Sequence, residues 1–163
     1  MKDRGFSLLE LIIVLVLLGL FTALMAPSFS RFSKSVELKG AAKKVASILR
    51  YYRSEAINKG KVYQVLFDSN LMKVKVQSIE GEDQEKTEKK EATGAPKAFP
   101  LPAGVQMKEL NFESTQYPSD LPAIEFYPNG GSNGGDILLD TRSQKGFKIK
   151  VNFLTGKVAI EKA

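Results

Sequence analysis

The first third of the chain carries one long helical pattern that changes character partway along. Residues 11–26 contain no charged side chain, and about 20 apolar residues suffice to cross a bilayer as a helix. We therefore predict a transmembrane helix over residues 6–27. Over residues 28–60 the pattern becomes amphipathic and continues the anchor as one helix. Its predicted core-facing stripe comprises Phe29, Phe32, Val36, Ala42, Val45, Leu49, Tyr52 and Ala56.

The opposite face of the amphipathic helix is basic. We interpret it as a solvated face, with contact to lipid head groups as the alternative. Gly60 follows the last residue of the pattern and is expected to end the helix. The basic face carries Arg31, Lys34, Lys39, Lys43, Lys44, Arg50 and Arg53.

After Gly60 the hydrophobic period changes to two, which predicts β-strands. A turn at Asp68-Ser69-Asn70 joins the first two predicted strands, and residues 128–135 and 154–156 form later turns. Residues 78–98 are nearly free of large apolar side chains, so we predict a mobile loop there. The predicted fold class is α+β, with a long N-terminal helix packed on a C-terminal antiparallel, meandering β domain over residues 61–163. The predicted strands are 61–67, 71–76, 105–112, 123–127, 136–140, 147–153 and 157–160.

A single glutamate, Glu10, stands inside the predicted membrane span. An ionised carboxylate at that depth costs about 2.5–3.5 kcal/mol on insertion scales and needs a cationic partner. No Lys or Arg lies within helical reach deeper in the span. The nearest candidate is the amine released if the chain is cut after Gly5, because the new terminus on Phe6 lies about one helical turn from Glu10. The pattern indicates a processed leader and the pairing of Glu10 with a neighbouring subunit.

The segment Gly5-Phe6-Ser7-Leu8-Leu9-Glu10, after a short basic leader, resembles the class III signal of type IV pilins and type II secretion pseudopilins. The resemblance implies that a prepilin peptidase removes residues 1–5 and methylates the new Phe6 amine. It also implies that Glu10 pairs with the Phe6 amine of an adjacent subunit during filament assembly.

Two other interpretations of the N-terminus remain open. A secretory signal peptide has a shorter apolar stretch and a small-residue cleavage site, and here the only such site, Leu24-Met25-Ala26, is followed at once by Pro27. An ordinary single-pass anchor explains the apolar run but leaves Glu10 without a role.

The C-terminal half carries a second resemblance. A phenylalanine-x-proline-x-glycine turn over residues 126–130 and a threonine-glycine turn at Thr155-Gly156 resemble the H-type minor pseudopilin (general secretion pathway protein H) and the T- and U-type minor pilins. The resemblance implies a minor pseudopilin of a type II secretion system, at or near the pseudopilus tip, that supports protein export across the outer membrane. The alternative that it implies is a minor pilin of a type IV pilus, acting in filament initiation, adhesion or DNA uptake.

The amino-acid composition limits the catalytic and metal-binding chemistry open to this chain. The chain contains neither Cys nor His, which excludes disulfides, thiolate catalysis and histidine-based triads or zinc sites. We predict no enzymatic activity and no cofactor or metal. Calcium-type oxygen ligands do occur in the later turns, but their spacing fits no calcium-binding loop and favours turn formation. They belong to Asn129, Asn133, Asp136 and Asp140.

The distribution of charged residues predicts the membrane topology and the kinds of binding partner. Lys2 and Arg4 favour a cytoplasmic N-terminus, which puts the C-terminal domain in the periplasm and the anchor in the bacterial inner membrane. The expected partners are other pseudopilins or pilins, prepilin peptidase and membrane lipid, with an exported protein as a further candidate. A net charge of +6 is a weak argument for nucleic acid. The DNA-binding T-type pilins have an arginine-bearing tail, whereas this chain ends Ile160-Glu161-Lys162-Ala163, so nucleic acid is not an expected partner.

Overall fold

A computed structural model describes residues 7–79, 97–141 and 144–163 of the chain. The predicted cleavage site at Gly5 and Phe6 lies outside these residues, as does most of the loop predicted over residues 78–98. The chain divides into two compact units, residues 1–35 and residues 36–163. Each unit is described by itself below.

Helix α1 spans Leu8–Lys59 and has well-formed ends. Ser7 caps its start, because the Ser7 carbonyl oxygen and Oγ accept the Glu10 N–H at 3.1 and 3.2 Å, as expected of an N-cap serine. Gly60 follows its last residue with a φ of 63°. This left-handed conformation is the one that a glycine after a helix supplies most easily.

In the first unit, the apolar side chains that the structure describes are exposed. The exposed fractions of these large side chains, from Leu8 to Phe21, run from 47% at Val14 to 79% at Leu8. Within the described part of the chain, no helix is both long enough and apolar enough to cross a membrane. The span over residues 6–27 stays a prediction.

In the second unit, α1 packs one face into the hydrophobic core. Five members of the predicted stripe are buried, namely Ala42, Val45, Leu49, Tyr52 and Ala56. The assignment of Val36 to that stripe is wrong, because its side chain is 55% exposed. It lies nine residues before Val45, and at about 100° per residue this spacing places it on the opposite side of the helix. The side chains of Phe29 and Phe32 are outside the description.

Eight strands in the described residues form two four-stranded sheets, and every neighbouring pair is antiparallel. The first sheet, called sheet A, has the order β3-β2-β1-β5, and the second, called sheet B, has the order β4-β6-β7-β8. The α+β fold class with a long N-terminal helix and an antiparallel β domain is therefore confirmed. The strands are β1 (Val62–Asp68), β2 (Lys73–Ile79), β3 (Lys97–Pro100), β4 (Gln106–Phe112), β5 (Ala123–Phe126), β6 (Gly135–Thr141), β7 (Gln144–Val151) and β8 (Val158–Lys162).

The topology differs from the predicted meander. Strand β5 returns to pair with β1, while β4 joins β6 in the other sheet. Both ends of the predicted 78–98 loop are also wrong, since Ser78 and Ile79 belong to β2, and Lys97 and Ala98 begin β3. Strand β3 is short and ends in a proline, features that weaken a strand signal in sequence.

Candidate functional site

Glu10 lies in the first turn of α1 with its side chain exposed. Its backbone N–H is bound by Ser7, and a Ser followed three residues later by a Glu is the spacing of a helix capping box. A negative charge here also interacts favourably with the helix dipole, by about 0.3–1 kcal/mol. Ser7 therefore caps the helix, which our sequence analysis missed, and the Ser7-x-x-Glu10 spacing of the sequence fits such a cap. The predicted partner of Glu10, the Phe6 amine, lies outside the described residues, so the pairing stays a prediction.

The turn after β5 is closed by its own backbone and by one side chain. The Gly130 N–H donates to the Tyr127 carbonyl at 2.9 Å, and the Tyr127 N–H donates to the Gly131 carbonyl at 3.1 Å. Asn129 Oδ1 accepts the Gly131 N–H at 2.9 Å. Gly130 has a φ of 83°, a conformation that favours glycine. The Asn129 side chain thus serves the turn, as the sequence analysis favoured.

The turn between β7 and β8 is organised by Asn152. Its Oδ1 accepts the N–H groups of Leu154 and Thr155 and the Thr155 hydroxyl, at 3.1, 2.9 and 3.0 Å. The Gly156 N–H donates to the Asn152 carbonyl at 2.8 Å, and Gly156 has a φ of 60°. This Asx-type arrangement fixes the hairpin corner.

Arg53 on α1 joins the two turns. Its Nε donates to the Gly130 carbonyl at 3.2 Å and to the Thr155 carbonyl at 2.9 Å. A Cβ added at Gly156 would lie 2.5 Å from the Gly130 carbonyl oxygen and 2.9 Å from Arg53 Nε. Arg50 contacts sheet B, because it donates a hydrogen bond to the Val158 carbonyl at 3.0 Å. The interpretation of Arg53 as a solvated residue is therefore wrong, since two carbonyl groups bind its guanidinium group. Arg50 is exposed, as interpreted, and donates one hydrogen bond.

A buried carboxylate forms a second polar centre beside these turns. Glu125 on β5 is fully buried, and each of its oxygens accepts two hydrogen bonds. Oε1 accepts from Gln64 Nε2 at 2.8 Å and from the Tyr117 N–H at 3.0 Å. Oε2 accepts from the Gln116 N–H at 2.9 Å and from the Tyr127 hydroxyl at 2.8 Å. Four donors at these distances satisfy a buried carboxylate.

Neighbouring amides extend this buried network. Gln64 Oε1 accepts from Gln77 Nε2 at 2.7 Å, and Asn133 Oδ1 accepts the Glu125 N–H at 2.9 Å. Burial raises the pKa of the Tyr127 hydroxyl, and its hydrogen bond to Glu125 raises it further. The network ties the segment around Tyr117 to sheet A. Sequence analysis missed it, although Gln64 and Glu125 are polar interruptions in apolar strands that face each other in register.

The four oxygen-bearing residues considered for calcium are not brought together as a metal site. Asn129 serves its turn, and the Asn133 side chain is bound to the backbone of Ala123 and Glu125 on β5. Asp136 pairs with Lys148 at 2.8 Å and Asp140 with Lys108 at 3.4 Å. In the described ranges, no cluster of three or more His, Cys, Asp or Glu residues could hold a metal ion.

A long N-terminal helix with a capped start, followed by an antiparallel β domain, defines the pilin-like class of subunits. The family model for the prokaryotic N-terminal methylation motif matches residues 1–26. The model for the type II transport protein GspH matches residues 41–155, which include most of the core-facing part of α1, the turn after β5 and the β7–β8 turn as far as Thr155. The chain belongs to the GspH family.

Individual relatives agree with this assignment. The chain is 29% identical over 155 residues to the type II secretion system protein H of Xanthomonas campestris pv. campestris, covering 95% of this chain and 81% of that protein. The minor pseudopilin EpsH from the type 2 secretion system of Vibrio cholerae shares the fold with a TM-score of 0.55 and 16% identity, over 77% of this chain and 97% of that one. The type IV minor pilin FimU of Pseudomonas aeruginosa also has a TM-score of 0.55 and 16% identity, over 80% and 92%. These structural similarities show the fold alone.

Proposed function

We propose that this chain is a minor pseudopilin of a type II secretion system, a structural subunit at or near the pseudopilus tip that supports protein export across the outer membrane. The match of residues 41–155 to the GspH family carries the proposal. The polar groups described above support an assembly role rather than catalysis, because they are engaged in holding turns and strands together.

The same proposal includes the processing of the N-terminus. Prepilin peptidase cuts after Gly5 and methylates Phe6, and the anchor holds the subunit in the inner membrane with the β domain in the periplasm. The methylation motif over residues 1–26 supports this step, as do the exposed apolar side chains from Leu8 to Phe21. Mass spectrometry of the membrane-purified protein should find a chain that starts at methylated Phe6. A mature chain that retains Met1 or starts near Pro27 would contradict the proposal.

Glu10 is proposed to pair with the Phe6 amine of an adjacent subunit. Bringing the carboxylate and the amine together replaces two isolated charges in lipid by one ion pair. Because the two groups belong to different subunits, this gain in free energy arises only when the subunits associate. Other pseudopilins are therefore the principal partners, and membrane lipid surrounds the anchor.

The capping-box spacing of Ser7 and Glu10 makes Glu10→Gln the decisive variant. Gln at the third helical position can still form a capping box, but it lacks the charge. We expect Glu10→Gln and Glu10→Ala to insert, to be cleaved, and to lose incorporation into the pseudopilus alike. If Glu10→Gln assembles like the wild type while Glu10→Ala does not, Glu10 acts through the helix cap and the pairing is refuted.

If this subunit occupies the tip of the pseudopilus, normal assembly of the Glu10→Ala variant has a second explanation. A first subunit has nothing above it and does not need Glu10 for docking. If Glu10→Ala also assembles like the wild type, crosslinking between the regions of Phe6 and Glu10 in this subunit and its partners distinguishes the two explanations. Crosslinks formed by only one of the two regions indicate a first subunit, and crosslinks formed by both refute the pairing.

The second candidate function is a minor pilin of a type IV pilus. It rests on the similarity to FimU, whose TM-score equals that of EpsH. Because this similarity concerns the fold alone, it does not outweigh the family match.

A further inference from the structure

Sheet B carries a concave site whose lining shares Asp136, Asn152 and Thr155 with the interactions described above, whereas the ammonium groups of Lys150 and Lys157 take no part in them. Its volume is about 650 Å³, and it lies where Gly134 and Gly135 lead into β6. Phe112 lines it from β4, and Phe153 lines it from the turn after β7. All of its lining residues belong to the second unit.

Two lysines in this cavity lack a counter-ion. Among the residues that the structure describes, the ammonium groups of Lys150 and Lys157 form no ion pair. The β7–β8 register pairs Lys150 with Ala159, so Lys157, two residues before Ala159, is a diagonal neighbour of Lys150 on the same face. Diagonal neighbours lie about 7–8 Å apart, so one anionic group can interact with both.

The remaining polar groups of the cavity favour an anion as well. Asp136 is already paired with Lys148 at 2.8 Å, which leaves Glu113 as the remaining carboxylate in the lining. The lining thus holds two lysines and two carboxylates, and one of those carboxylates, Asp136, is neutralised by Lys148 from outside the lining. The side-chain oxygen of Asn152, which also lines the cavity, is occupied by three donors of its own turn.

An exposed apolar pair adjoins the lysines. Phe153 is 59% exposed and Leu154, beside it at the tip of the hairpin, is 72% exposed. Phe153 is held close to the chain before β6, since a Cβ added at Gly134 would lie 2.8 Å from the Phe153 Cβ. Single exposed apolar residues are ordinary, but Phe153 shares the lining of this cavity with two lysines that form no ion pair among the described residues, and Leu154 follows it directly in the chain. An aromatic anchor with a polar rim beside it is typical of a protein interface.

We propose that this cavity binds an acidic segment of a neighbouring filament subunit. Its Asp or Glu carboxylates contact Lys150 and Lys157, and an adjacent apolar side chain packs on Phe153 and Leu154. The chemistry of the segment follows from the lining residues, whereas its origin in a filament subunit rests on the proposed function. Permanent interfaces are more hydrophobic than transient ones. A neighbouring filament subunit therefore fits the exposed Phe153 and Leu154 better than a transient partner does.

Zero-length crosslinking tests the contact directly. A water-soluble carbodiimide couples a lysine amine only to a carboxylate that touches it. We would apply it to membranes from cells that make the full chain with its filament partners, and identify the linked peptides by mass spectrometry. We expect Lys150 and Lys157 to be joined to Asp or Glu of another subunit. Links only to carboxylates of this same chain, or no links at these two lysines, would overturn the inference.

Charge variants supply the matched controls. Replacing both lysines by Arg keeps the charge but removes the reactive amine, so the crosslink should vanish while the partner still co-purifies within about twofold. Replacing both by Glu should lower partner recovery by about tenfold or more, equivalent to one decade in affinity. Lys39→Glu with Lys43→Glu makes the same charge change on the exposed face of α1 and should leave recovery unchanged. Equal losses in the two Glu pairs would show a general charge effect and overturn the inference.

Failure of this inference differs from failure of the proposed function. If the wild-type chain enters the pseudopilus but the cavity lysines form no link to another subunit, the cavity inference fails and the function stands. If the wild-type chain enters no pseudopilus, the proposed function fails, and the partner inferred here fails with it.

Discussion

Replacing Glu125 by Gln tests whether the buried carboxylate organises the β domain as a charged acceptor. Each carboxylate oxygen accepts two hydrogen bonds, so the amide nitrogen of Gln meets two donors in either orientation. The less costly orientation points it at the Tyr127 hydroxyl, because a hydroxyl can turn and accept. The Gln116 N–H, previously bound at 2.9 Å, then faces another donor.

The expected loss follows from that geometry. A hydrogen bond to a charged group contributes about 1.5–3 kcal/mol, and an unsatisfied buried donor costs about 1–3 kcal/mol. These two quantities overlap, and the neutral side chain regains part of the cost of burying a charge. We therefore expect the free energy of unfolding to fall by about 2–4 kcal/mol. Since a domain is typically stable by about 5–15 kcal/mol, the change is large enough to measure.

Urea unfolding of a soluble fragment that starts near Phe29, followed by circular dichroism, measures this loss. We expect that fragment to be folded and monomeric, because residues 36–163 form one compact unit. Glu113→Gln is the control, since that side chain is exposed in the same segment. The urea midpoint should fall for Glu125→Gln. The free energy of unfolding of Glu113→Gln should stay within about 0.5 kcal/mol of the wild-type value. An unchanged or higher stability for Glu125→Gln would refute the idea of a charged organising acceptor.

Three further predictions concern the turns and the pH dependence. Because its folded-state pKa is raised above the ordinary value of 10.0, Tyr127 supports folding below that pH and loses this contribution as the pH rises through its folded pKa. Tyr127→Phe should make the alkaline fall in unfolding free energy shallower in a pH series of urea titrations. Gly60→Ala, at φ 63° with open space around it, should lose about 1–2 kcal/mol from strain alone. Gly156→Ala, at φ 60° but close to Gly130 and Arg53, should lose about 2 kcal/mol more in the same assay, and equal losses would contradict the packing described here. Arg53→Lys should lower the melting temperature, because Lys carries a methylene at the position of the Nε–H that binds both carbonyls, and an unchanged value would show that the guanidinium is dispensable.

The sequence revealed the helix and the turns because both depend on local signals. A long apolar run that becomes amphipathic can form little but a helix, and Gly60 ends it through its own backbone freedom. The turns around Gly130 and Gly156 were predictable in the same way, since positive φ favours glycine. Val36 was misplaced because a period of three or four drifts when it is extended across several turns.

The pairing of strands and the meeting of side chains could not be predicted in this way. Whether β5 joins β1 or β4 depends on contacts between residues far apart in sequence, and a period of two is the same in either sheet. Glu125 and Gln64 each look like a polar residue on an exposed face, and only the register shows that they face each other. Arg53 likewise resembled its solvated neighbours, because the carbonyl groups that bind it are 77 and 102 residues away.

The central claim is that this chain serves protein secretion through a pseudopilus. An in-frame deletion of its gene in the host, followed by measurement of an exported protein in the medium and the periplasm, tests that claim most directly. We predict that the exported protein accumulates in the periplasm and that the wild-type gene restores its release, while pilus-dependent motility is unchanged. Normal secretion together with lost piliation would contradict the account and identify the chain as a type IV minor pilin.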